Sequence, residues 1–211
     1  LAIDVNAGNS FETGGNYNVV IGELAGTALT TADNSIFYGY KAGNATTTGV
    51  SNIFIGLDAG WKNVTGASNV IIGTNAGYAN ASISNNVFIG DATGQSNTAN
   101  DNVFIGALAG LTNTSGTQNF YMGTQAGRDG TTGSGNMLIG YHAGVTITTG
   151  ANNTIMGANA GAIVTGASND ILIGANANAI SAVKDSYLNI GGAISGYMLA
   201  TDTITFSGYI A

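Results

Sequence analysis

The chain has 211 residues, 34 of them glycine, with no proline and no cysteine, so disulfides, thiolate metal sites and cysteine nucleophiles are excluded. Only 7% of residues are charged, against about 25% in ordinary soluble domains, and eleven acids oppose four Lys and Arg for a net charge of −7. With no basic stripe, nucleic-acid binding and attraction to an anionic membrane are both disfavoured, and no apolar run approaches the roughly 18 residues of a membrane span.

Residues 1–16 lack any repeat and are expected to form a partial leading coil; a start at Leu1 instead of Met is read as a fragment or a processed product. From 17 to 180 the phrase Asn-apolar-apolar-apolar-Gly-x-x-Ala-Gly returns ten times. Its anchoring glycines are Gly22, Gly39, Gly56, Gly73, Gly90, Gly106, Gly123, Gly140, Gly157 and Gly174, 17 residues apart at every step except Gly90 to Gly106, which is 16. A unit this short is too small for a helical hairpin or a propeller blade. It has the length of one coil of a β-solenoid, in which each turn of chain stacks on the last. The predicted fold is therefore all-β, a parallel β-solenoid (β-helix or β-roll) of about ten 17-residue coils. The lack of proline agrees, because each coil needs its backbone N–H groups for the ladder.

Within each coil the residues fall into columns. Four places before the glycine stands Asn18, Asn52, Asn69, Asn86, Asn102, Asn119, Asn136 or Asn153, with Ser35 and Asp170 in the two remaining copies. Stacked at the strand spacing of about 4.8 Å, these amides can form a side-chain ladder, and Asn52, Asn69, Asn86, Asn102, Asn119, Asn136 and Asn153 are assigned that structural role. The next three positions are apolar, β-branched or aromatic, as in a short strand. Alternation sends the outer two columns one way and the middle column the other, so both faces are apolar. A thin solenoid has one interior, which leaves an apolar ladder about 48 Å tall to cover. The column holding Phe37, Phe54, Phe88, Phe104 and Tyr121 is assigned to this second face, sealed in a homotrimer. The Ala-Gly that follows is read as a small inward residue and a corner with positive φ, and the rest of the repeat as a polar return arm.

From Ser181 the pattern decays. Tyr187-Leu-Asn-Ile-Gly191 keeps the glycine in phase without the Asn or the Ala-Gly, so 181–211 is expected to cap the stack or to lead into a further fibrous module.

Asn86-Val-Phe-Ile-Gly90, Asn102-Val-Phe-Ile-Gly-Ala-Leu-Ala-Gly110 and Tyr187-Leu-Asn-Ile-Gly-Gly192 resemble repeats of bacteriophage tail fibres and tailspikes. They are also similar to the head repeats of trimeric autotransporter adhesins, although those use a shorter repeat and this chain carries no heptad stalk or membrane anchor. The resemblance covers residues 16–192. It implies a homotrimeric fibre on a virion tail, outside the cell, that attaches to a host surface. Partners implied are other copies of the chain, other tail or baseplate proteins, and a glycan or protein of the host. A cleaved C-terminal chaperone, where the family has one, would lie beyond Ala211.

The search for chemistry is negative in expectation: no catalytic residue, cofactor or metal site is assigned. His142, the only histidine, sits in a variable outward slot. A glycan hydrolase needs two carboxylates within about 5–10 Å, and no acid has an acidic neighbour in its own column; Asp91 and Asp101 would meet only if the coil path folded them together. Lys41 and Asp58 share a column and are expected to pair. Trp61 and Tyr78 occupy one column in consecutive coils and form a candidate aromatic platform for a sugar ring, against the plainer reading of mutual packing. The competing functions are a trimeric bacterial adhesin head and a monomeric ice-binding solenoid. The latter draws on a threonine column (Thr30, Thr47, Thr98, Thr114, Thr131, Thr148, Thr165), although Thr-x-Thr pairs are rare.

Overall fold

A computed structural model describes residues 1–4, 6–8 and 15–197, and the expectations for residues 5, 9–14 and 198–211 lie outside it. Among the described residues there is no helix, and thirteen strands form one sheet in chain order. They are β1 (Ala2–Ile3), β2 (Val19–Ile21), β3 (Ile36–Tyr38), β4 (Ile53–Ile55), β5 (Val70–Ile72), β6 (Val87–Ile89), β7 (Val103–Ile105), β8 (Phe120–Met122), β9 (Met137–Ile139), β10 (Thr154–Met156), β11 (Ile171–Ile173), β12 (Tyr187–Ile190) and β13 (Ile194–Tyr197). β1 to β12 pair in parallel, and β13 turns back antiparallel on β12. The chain is a parallel β-solenoid with one strand per coil. The other sides of each coil are turns, tied to the next coil by backbone hydrogen bonds such as Ala28 N–H to the Asn44 carbonyl and Thr30 N–H to the Thr47 carbonyl.

Two turns follow each strand. In the second coil Ala25 N–H donates to the Gly22 carbonyl and Leu29 N–H to the Gly26 carbonyl. The residue before each Ala is left-handed whatever its side chain, as at Leu24, Lys41, Asp58, Asn75 and His142, with φ between 54° and 58°. A second left-handed corner precedes the Asn column, at Asn34, Ser51, Ser68, Asn85 and Asp101. Such corners disfavour an L-residue by roughly 1–2 kcal/mol; here the inter-coil ladder holds them.

The interior corrects one expectation. Val20, Phe37, Phe54, Ile71, Phe88, Phe104, Tyr121, Leu138, Ile155 and Leu172, the whole middle column, are buried within the single chain at 0–1% exposure. Phe37, Phe54, Phe88, Phe104 and Tyr121 are therefore core residues and not an interface between chains. The rings stack along the rod: Phe37 on Phe54 at 5.1 Å, Phe88 on Phe104 at 5.1 Å and Phe104 on Tyr121 at 4.7 Å. The Gly of each Ala-Gly gives them room, since a Cβ at Gly60 would lie 2.8 Å from the Phe54 ring.

The position seven places after the anchoring glycine also points inward, and its volume is reciprocal to that of the strand residue. Large rings face small or polar partners (Phe37 and Thr46, Phe54 and Asn63, Phe88 and Asn97, Phe104 and Asn113, Tyr121 and Gly130). Aliphatic residues face each other (Val20 and Leu29, Leu138 and Ile147, Ile155 and Val164). This exchange of volume keeps the core close-packed, and the Ile71–Asn80 coil, an aliphatic residue facing an amide, departs from it. Burial pushes the Tyr121 hydroxyl above its ordinary range, against a hydrogen bond with the Asn136 side chain, so it stays neutral.

The Asn side chains four places before the glycine are buried beside this core. Backbone N–H groups in the column donate to the side-chain oxygen of the coil before, as Asn69 does to Asn52 Oδ1 (3.1 Å) and Asn153 to Asn136 Oδ1 (3.0 Å), with the Ser35 hydroxyl oxygen taking that place for Asn52 (3.1 Å). The amide nitrogen donates to the same Oδ1 in several coils (Asn69 to Asn52 at 3.0 Å, Asn153 to Asn136 at 3.0 Å). It also reaches a carbonyl fourteen residues on, as Asn52 does at Gly66 (2.8 Å) and Asn119 at Gly133 (2.9 Å).

A second buried amide column, Asn63, Asn80, Asn97 and Asn113, is less well satisfied. Asn63 closes on Gly66 through both its oxygen and its nitrogen, whereas neither Nδ2 nor Oδ1 of Asn80 has a partner. A buried amide without hydrogen bonds costs about 1–3 kcal/mol. Asn80→Val, which installs the aliphatic type already present at Leu29, Ile147 and Val164, is expected to stabilise the fold by about 1–2 kcal/mol. A lowered urea midpoint in that variant would contradict this reading of the column.

Candidate functional site: the outward face of the sheet

With the middle column inside, the two outer columns of every strand face outward. From β2 to β11 they are Val19/Ile21, Ile36/Tyr38, Ile53/Ile55, Val70/Ile72, Val87/Ile89, Val103/Ile105, Phe120/Met122, Met137/Ile139, Thr154/Met156 and Ile171/Ile173. No charged residue occurs among these twenty positions, and Thr154 and the Tyr38 hydroxyl supply the only polar side-chain groups. The exposure is substantial, reaching 54% at Tyr38, 43% at Met137 and 40% at Met122. Tyr40, Leu57 and Tyr141, just past the anchoring glycines, widen the strip. Soluble proteins seldom leave so long an apolar face uncovered, and depletion of charge is what marks the centre of a protein–protein interface.

The one short coil leaves this face intact. Val87, Phe88 and Ile89 pair in register with Val103, Phe104 and Ile105. The missing residue is taken from the return arm, between Thr98 and Asn102.

The aromatic pair lies elsewhere. Trp61 and Tyr78 stack at 4.8 Å and 26°, with the Lys62 ammonium 5.5 and 5.6 Å from the two ring centroids. Each ring spends one face on the other, and the Trp61 Nε1 is buried without a hydrogen-bond partner. Both rings are half-buried, and what the geometry displays is their mutual packing.

The remaining candidates are dispersed. Asp91 follows its strand and Asp101 precedes the next, where Asn85 Nδ2 donates to its carboxylate at 3.0 Å; the length of the strand separates the two acids. Lys41 does not pair with Asp58: its ammonium lies 5.0 Å from the Tyr40 ring centroid. The described ion pair is Arg128–Asp129, bidentate at 2.6 and 2.7 Å. It holds the Asp129 carboxyl below its usual range. His142 stacks on Tyr141 at 3.9 Å. Among the described residues no group of three or more His, Cys, Asp or Glu is placed to hold a metal.

The threonine column turns its hydroxyls to the backbone. Thr30, Thr47, Thr114, Thr131, Thr148 and Thr165 each donate to a carbonyl of the following coil at 2.9–3.3 Å, and Thr98 donates to the Thr114 carbonyl. These hydroxyls are ladder elements.

Two features escaped the sequence reading: the second Asn column and the buried setting of Asp170. Period two carried a signal for the inward strand column, because the ladder Asn and the middle strand residue are two places apart and must share a face. Comparison with protein-family models, with curated proteins and with solved structures gave no match.

Proposed function

We propose that this chain is a structural and adhesive segment of a homotrimeric fibre of the bacteriophage-tail type, a stiff rod for host-surface attachment that carries out no catalysis and uses no cofactor. The observation that carries the reading is the uncharged apolar ladder on the outside of a sheet whose inner side already has a filled core. Three such faces close around one axis, the first outer column of each chain meeting the second outer column of the next. The partner is another copy because its side chains recur at the same spacing of about 4.8 Å, so the two ladders interdigitate at every coil. A generic globular surface lacks that period. The low charge of the face removes the desolvation penalty that would oppose burial.

In this reading the fibre belongs outside the cell, on a virion tail, joined at its ends to other tail or baseplate proteins, with a glycan or protein of the host as target. A trimeric adhesin head on a bacterial surface would use the same seam, and the repeat resemblance ranks it second. Ice binding by a monomer ranks lower, since the threonine hydroxyls are spent on carbonyls.

A lysine in the centre of the seam provides the test. Ile72→Lys is expected to give monomers in sedimentation at micromolar concentration where the wild type gives trimers, with the far-UV circular dichroism of the solenoid retained, because position 72 contributes nothing to the coil interior. An associated Ile72→Lys variant of unchanged mass would place the contact elsewhere.

A further inference from the structure

We infer that the C-terminal end of the rod carries an acid-operated latch: Asp170, set into the asparagine ladder, must hold a proton to donate from its second oxygen, and its ionisation loosens the last described parallel coil and the hairpin that follows it.

Asp170 is fully buried in the position that Asn153, Asn136 and Asn119 fill in the coils before it. Its backbone N–H donates to Asn153 Oδ1 at 2.8 Å, and its own Oδ1 accepts the Tyr187 N–H at 2.8 Å. So far it does what an Asn does. The difference lies at the second atom. In the rung before it, Asn153 Nδ2 donates to the Asn136 Oδ1 and to the Ala167 carbonyl fourteen residues on. The Asp170 Oδ2 takes the place of that nitrogen and has no hydrogen-bond partner. A carboxylate is acceptor only, whereas a carboxylic acid has one O–H to donate. Protonation therefore gives the side chain one of the two donors that an Asn amide has at this atom.

The charges around it act in the same direction. Asp185 in the following coil repels an ionised Asp170, while its own oxygen accepts the Ser168 N–H at 2.7 Å. The nearby cation is committed elsewhere, with Lys184 Nζ 3.8 Å from the Tyr197 ring centroid. Asn153 on one side and Tyr187 and Tyr197 on the other bring no charge. Burial first, then Asp185, push the Asp170 carboxyl up to about 6 from 3.8, against the Tyr187 hydrogen bond. The folded chain thus binds this proton more tightly than the unfolded chain does. Its stabilisation is complete below the unfolded value of 3.8 and is lost as pH rises through about 6. What depends on it is local: the Tyr187 N–H, strand β12, and the edge-on Tyr187–Tyr197 contact at 5.3 Å that seats β13.

Amide exchange of residues 187–190, corrected for intrinsic rates, tests the latch on the full chain. Protection is expected to fall about tenfold between about pH 5 and pH 8 in the wild type. Asp170→Asn, which restores the residue found in eight of the ten copies, should hold the high protection at both pH values. Asp185→Asn should move the wild-type transition to lower pH without removing it. A flat wild-type profile, a pH dependence that survives Asp170→Asn, or a transition unmoved by Asp185→Asn would each overturn the inference.

Discussion

Phe104→Ala is expected to destabilise the chain by about 3–5 kcal/mol, the cost of emptying a fully buried aromatic site. Phe104 has no exposed surface, and its ring is held between Phe88 at 5.1 Å and Tyr121 at 4.7 Å. Truncation leaves a void that the neighbours cannot fill, because the Gly110 corner and the Asn113 amide beside it are fixed by hydrogen bonds to the backbone. In a solenoid each coil contacts only its neighbours, so the damage should centre on the coils of β6 to β8. Urea unfolding measures the loss, done in the Ile72→Lys background so that association does not contribute to the midpoint. If the ring instead sealed chains together, Phe104→Ala would lower the native mass in the Ile72 background and leave that midpoint unchanged.

Gly73→Ala should be nearly as severe, at roughly 3 kcal/mol or more. Gly73 has φ +140°, outside the range L-residues adopt, and a Cβ there would lie 2.6 Å from the Gly90 carbonyl carbon of the next coil and closer still to its oxygen. That carbonyl belongs to the stacked backbone and cannot withdraw without parting two coils. Gly191 is the control: it has φ +59°, and a methyl group added there would meet nothing within 4 Å. Gly191→Ala should therefore cost only the roughly 1 kcal/mol of a left-handed alanine. Equal thermal shifts for the two variants would mean that contact between coils is not what requires glycine in the anchoring column.

The coil and its stacking are legible in the sequence because both are periodic. A glycine every 17 residues fixes one strand per turn, and the Asn four places earlier fixes register. What the columns do not state directly is which side of a three-residue strand is inside. Both sides are apolar, so hydrophobicity alone cannot choose, and Phe54 looks as ready to seal an interface as Ile53 or Ile55. The choice is made by the Asn at position 52, buried and two places from Phe54, and by Gly60, whose missing side chain leaves space for the ring. Lys41 and Asp58 show the limit of column logic: they share a column, but both sit at a left-handed corner that sends the lysine over Tyr40. Asp170 reads as a conservative exception to Asn until its buried second oxygen is seen without a partner.

The central claim is that the inner column builds the coil and the outer columns join the chains. Light scattering of the purified wild-type chain addresses it most directly. The account predicts a native mass of three times the 21.0 kDa chain. A monomer of 21.0 kDa with an intact circular dichroism spectrum would leave twenty outward positions, almost all apolar, facing water and would contradict it.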